Sequence, residues 1–154
     1  MKYNWHMDFR IVFYLSFSFL LITCGKATAQ EVDYSNEYQI VANVTGLTEL
    51  NISELRQRFK GKHYSWDKNI DVIIALPSSK HINAEEVSRI IYDKSFYGVK
   101  KFWLSLVFQG RFNAPNFFDS DDEIVDFISK NEGSIGFVSK KVAVPEKFVI
   151  TLSQ

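Results

Sequence analysis

The run Asp71-Val72-Ile73-Ile74-Ala75-Leu76, ended by Pro77, constrains this chain more than any other stretch. After its first residue it is apolar without alternation, the pattern of a strand buried on both faces. Such a strand needs helices on each side of its sheet, and helix signals flank it. Before it stands Asn51-Ile52-Ser53-Glu54, a capping box in which Asn51 accepts from the Glu54 amide and the Glu54 carboxylate accepts from the Asn51 amide. Ile52, Leu55 and Phe59 then form one apolar stripe, and Gly61 stops the helix. After it stands Asn83-Ala84-Glu85-Glu86, read as a second capping box opening a helix to about Lys94.

The remaining elements follow by the same reasoning. Residues 38–44 are β-branched and end at Thr45-Gly46, which gives a first strand. Residues 99–108 are apolar nearly all round, which predicts a deeply buried helix containing Trp103. Residues 111–119 carry Pro115 and three phenylalanines and read as an extended connection. Ser120-Asp121-Asp122-Glu123 is a third capping box, and residues 134–138 and 147–152 are the last strands. The expected fold class is α/β, with a mixed, mostly parallel sheet flanked by helices.

The first thirty residues differ from the rest. Lys2 and Arg10 precede an apolar run at 11–22, and Ala27-Thr28-Ala29 offers small residues for cleavage. This predicts a signal peptide over residues 1–29 and a single mature domain over 30–154. A run of about a dozen residues is short for a membrane span, so none is expected after cleavage. The alternatives are a retained anchor, or a lipidated Cys24 read from Leu21-Ile22-Thr23-Cys24. The expected localisation is the periplasm or the exterior.

Cleavage after Ala29 removes the lone cysteine, which excludes disulfides, thiol catalysis and thiolate metal sites from the mature domain. It also removes Lys2, Arg10, Lys26 and Asp8, leaving 15 basic against 17 acidic residues. No basic excess points to nucleic acid. His63 and His81 lack the partners zinc needs and read as surface or capping residues. No cofactor motif, nucleophile elbow or acid/base pair is present, so catalysis is the least supported class. Arg56, Arg58, Lys60 and Lys62 read as a solvated helix face, and Asp119, Asp121, Asp122, Glu123 and Asp126 as acids of a helix first turn. Ser78, Ser79, Lys80 and His81 lie just past the central strand, where open α/β sheets bind ligands. They are the candidate ligand-binding residues, offering hydroxyls and one ammonium to a small oxyanion.

Three blocks, in order, carry a resemblance. Glu54-Leu55-Arg56 leads through Phe59-Lys60-Gly61-Lys62 to Trp66; Phe108-Gln109-Gly110 follows; then Ser120-Asp121-Asp122-Glu123 precedes Gly133-Ser134-Ile135-Gly136-Phe137-Val138. Together they resemble the extracytoplasmic phosphate-binding proteins of ABC importers, of the type 2 periplasmic binding protein fold. The resemblance implies two lobes clamping an anion, and this chain has the length of about one. In that family an arginine and a Ser-Gly-Thr follow the second strand. Here the place reads Leu76-Pro77-Ser78-Ser79-Lys80-His81. The implied function is an exported, non-catalytic solute-binding-like domain with a degenerate anion site. The alternative is an accessory module docking onto a transporter, sensor or envelope partner without binding phosphate.

Overall fold

The computed structural model describes residues 34–153 apart from 45, 64 and 67–69. The signal-peptide and Cys24 expectations lie outside the described residues. In chain order the elements are β1 (Tyr38–Ala42), β2 (Glu49–Asn51), α1 (Ile52–Phe59), β3 (Ile73–Pro77), α2 (Ala84–Tyr92), α3 (Phe96–Phe108), β4 (Asn116–Phe118), α4 (Asp121–Lys130), β5 (Ser134–Ser139) and β6 (Val149–Ser153). The strands form one sheet in the order β2-β6-β1-β5-β3-β4. Pairing is parallel at β2/β6, β5/β3 and β3/β4, and antiparallel where β1 inserts between β6 and β5. The sheet is therefore mixed and mostly parallel, flanked by helices as the central apolar run requires.

Alternate residues of the central strands feed two cores. On one face Ile40, Ile74, Leu76, Ile135 and Phe137 pack with Leu55 and Phe59 of α1, Ile90 and Ile91 of α2, and Val99 and Trp103 of α3. On the other, Val41, Ala75 and Val138 meet Ile124 and Ile128 of α4. Gly136 makes that second contact possible, since a Cβ there would lie 2.7 Å from Ile124 Cγ2 and 2.9 Å from Ile128 Cδ1. Helix α4 thus rests directly on the β5 backbone.

The caps divide into one success and two departures. At α1 both halves of the box form: Glu54 N donates to Asn51 Oδ1 at 2.9 Å and Asn51 N to Glu54 Oε2 at 3.3 Å. At α4 Ser120 accepts from the Glu123 amide, but Glu123 accepts from the Asp119 amide instead of that of Ser120. At α2 the expected box is absent. Asn83 makes no side-chain cap; its amide donates to His81 Nδ1 at 3.0 Å, and the Glu86 carboxylate instead accepts from the Tyr38 hydroxyl. The ring of His81, two residues upstream, took the local partner that the box needed.

Three further expectations are corrected. Helix α3 starts at Phe96, capped by Ser95, and is not deeply buried. Val99 and Trp103 are buried, but Tyr97, Leu104 and Phe108 are 66%, 55% and 81% exposed, because only one side of the helix meets the sheet layer. The connection at 111–119 contains strand β4, paired with β3 from Ala75↔Asn116 to Pro77↔Phe118. The basic face of α1 is only partly solvated. Arg56 Nε donates to the Ile90 carbonyl at 2.8 Å, and the Arg58 guanidinium stacks 4.2 Å over the Trp66 ring.

Candidate anion site at the strand ends

Strands β3 and β4 end side by side, because their parallel register brings Pro77 opposite Phe118. The chain leaves both strands at the same edge of the sheet, and the Ser78 amide donates to the Phe118 carbonyl at 2.6 Å. This register sets the loop at 78–83 against the residues that open α4. Sequence separation hides that meeting, and it decides what the candidate residues do.

Ser78 and Lys80 converge on Asp119. The Ser78 hydroxyl donates to Asp119 Oδ1 and the Lys80 ammonium lies 3.2 Å from Oδ2. The Lys80 amide also donates to Ser78 Oγ at 3.1 Å, which folds the loop back on itself. The Ser78 hydrogen bond, reinforced by Lys80, holds the Asp119 carboxyl below its usual range. One hydroxyl and one ammonium thus meet a single carboxylate of the chain at this strand end. Ser79 is exposed beside it.

His81 is turned the other way. Its side chain is 2% exposed, which corrects the expectation of a surface histidine, and its Nδ1 meets the amide of Asn83 ahead of α2. With Nδ1 accepting from Asn83, the neutral ring carries its proton on Nε2 and donates to Asp121 Oδ1 at 3.1 Å. Asp121 Oδ2 in turn accepts from the Ser139 amide at 3.2 Å. The His81–Asp121–Ser139 chain therefore pins the β3–α2 loop, the first turn of α4 and the end of β5 together. Of the four candidates, Ser78 and Lys80 are brought together, Ser79 flanks them, and His81 serves the frame.

The partners of the candidate residues that sequence reasoning missed are Asp119 and Asp121, which it grouped as first-turn acids. Asp119 precedes α4, and Asp121 spends its charge on His81. Nearby acids are also engaged. Glu85 accepts from the Phe96 amide at 2.9 Å and pairs with Arg89 at 3.0 Å, and the Phe96 bond foremost lowers its pKa. Burial, with the Glu86 hydrogen bond, raises the Tyr38 hydroxyl well above its ordinary pKa. Among the described residues, no group of three or more His, Cys, Asp or Glu is placed to hold a metal ion. No helix among them is long and apolar enough to cross a membrane.

No family model matches the chain, and no curated protein matches it by sequence. Solved structures do match. A protein assigned as a phosphate ABC transporter substrate-binding protein from Clostridium perfringens, with bound phosphate, superposes with a TM-score of 0.56 at 12% identity, over 76% of this chain and 44% of its own. The periplasmic phosphate-binding protein PfluDING, bound with phosphate, gives 0.55 at 15% identity, over 77% and 37%. A phosphate-binding protein from Stenotrophomonas maltophilia gives 0.53 at 14% identity, over 76% and 39%. The fold is that of a single periplasmic binding-protein lobe. The chain spans less than half the length of these structures.

Within the lobe, several of the signature residues are framework, whereas Phe108 is exposed. Leu55 and Phe59 are core, and the Trp66 indole donates to the Gly133 carbonyl at 2.8 Å. Gly133 adopts φ +82° beside the Asp71 backbone, and Gly136 admits α4.

Proposed function

We propose that this lobe is an exported, non-catalytic, solute-binding-like domain whose strand-end anion site is filled by its own carboxylate. The observation that carries this reading is the convergence of Ser78 and Lys80 on Asp119. Hydroxyl and ammonium are the groups a tetrahedral oxyanion would use, and both are answered from within. An incoming phosphate would have to displace Asp119 and approach Asp121, Asp122, Glu123, Glu85 and Glu86. The fold supports the solute-binding class, because its structural neighbours are phosphate-binding proteins, two of them holding phosphate. Export is supported by the periplasmic neighbour and by the leader-like residues 1–29.

A second reading has the lobe as an accessory module that docks onto a transporter, sensor or envelope partner without binding phosphate. The same occupied loop favours it over a working receptor. Calorimetry with phosphate, sulfate and molybdate tests both. The account predicts no heat of binding in the micromolar range for any of the three. Micromolar binding that a Ser78→Ala/Lys80→Ala variant abolishes would restore a functional anion receptor.

A further inference from the structure

Helix α3 carries an apolar line on its outer side. Tyr97, Leu104 and Phe108 fall at i, i+7 and i+11, which superimposes them on one face of the helix, opposite buried Val99 and Trp103. Lys100 and Lys101 flank the line, one on each side, and Lys101 Nζ lies 4.7 Å from the Tyr97 ring centroid. Beside it runs a groove of about 600 Å³, lined in part by Lys94, Ser95, Lys101 and Arg111. Residues 94–118 contain no Asp or Glu at all. In a chain whose acids and bases balance at 18 each, this segment is cationic and apolar together; the Glu85 carboxylate, paired with Arg89, meets only its N-terminal end at the Phe96 amide.

We infer that the outer face of α3 seats on an anionic phospholipid bilayer. Phe108 and Leu104 reach the headgroup boundary, while Lys94, Lys100, Lys101 and Arg111 meet lipid phosphates. Charge complementarity selects this occupant. Exposed apolar residues ringed by cations, with acids excluded along the whole segment, match a negative bilayer surface. A second copy of the chain would bring the same positive charge to the contact and repel. The site is separate from the strand-end loop, and the inference does not rest on the proposed function.

A dye on α3 tests it in the full chain. In a Cys24→Ser background, Leu104→Cys carries an environment-sensitive fluorophore, and Ser129→Cys on α4 carries it as the control. The chain is mixed with phosphatidylcholine vesicles containing about 30% phosphatidylglycerol, or none. Because the dye reads α3 itself, membrane attachment through residues 11–22 does not produce the signal. The expected result is a blue shift at position 104 only with phosphatidylglycerol, and none at position 129. Lys100→Glu/Lys101→Glu should weaken the response roughly 30-fold or more, with an unchanged far-UV melt. Should that variant fail to fold, about 0.5 M salt replaces it and should abolish the shift. Three results overturn the inference: no shift on anionic vesicles, an equal shift on neutral ones, or a lipid-independent shift that grows with protein concentration and so reports a second copy.

Discussion

Tyr92→Phe removes one oxygen atom and breaks two buried hydrogen bonds. The Tyr92 hydroxyl donates to the Phe59 carbonyl at 2.9 Å and accepts from Trp103 Nε1 at 2.9 Å. It thereby joins the end of α1, the end of α2 and the middle of α3, on the sheet face that holds the larger core. All three residues are at most 4% exposed, so water does not replace the lost hydroxyl. The indole N–H left without a partner costs about 1–3 kcal/mol, and the lost bond to Phe59 about 1 kcal/mol more. The expected destabilisation is therefore roughly 2–4 kcal/mol, a large share of the ~5–15 kcal/mol typical of a domain. Urea unfolding followed by far-UV circular dichroism reads it as a lower midpoint at unchanged slope. A double-mutant cycle with Trp103→Phe isolates the indole–hydroxyl pair, and a coupling of about 1 kcal/mol or more is predicted. A loss under about 0.5 kcal/mol for Tyr92→Phe, with no coupling, would refute the three-helix junction.

Gly133→Ala should cost about 2–4 kcal/mol by the same urea assay. A Cβ at φ +82° is strained and would press on Ile70 Cγ2 at 2.7 Å and on the Asp71 backbone. Asn51→Ala should lower stability by about 1 kcal/mol through the lost cap of α1, whereas Asn83→Ala, which removes no side-chain cap, should cost measurably less. Alkaline pH supplies a further test, because Tyr38 and Tyr92 both have folded-state pKa values raised foremost by burial. A raised acid favours its neutral form in the fold, so this stability is complete below the unfolded value of about 10 and is lost as pH rises above it. Urea midpoints should be flat from about pH 8 to 9.5 and fall beyond, and the fall should be shallower in Tyr38→Phe.

Much of the frame was legible because its causes are local or periodic. The unbroken apolar run gave β3, and the Asn51–Glu54 box gave the start of α1, since both partners lie within one turn. The errors have two origins: local competitors at the caps, where His81 and the Asp119 amide took part in place of the expected partners, and partners supplied by distant elements. Asn83 lost its reciprocal acid when Glu86 turned to Tyr38, which β1 places nearby. Helix α3 is apolar on both sides, and periodicity does not tell a helix enclosed by its neighbours from one covered on a single side. Strand β4 is three residues long, and only its register with β3 makes it a strand. That same register joins Ser78 to Asp119 across 41 positions. The loop composition suggested hydroxyls and an ammonium for an oxyanion, but not that Ser78 and Lys80 would meet a carboxylate of the chain.

Phosphate titration of Asp119→Ala beside the unaltered protein addresses that carboxylate most directly. Removing it releases the Ser78 hydroxyl and the Lys80 ammonium, so the variant should acquire millimolar phosphate binding that salt weakens, while the unaltered chain stays silent. Micromolar binding by the unaltered chain, or a variant as silent as its parent, would contradict the account.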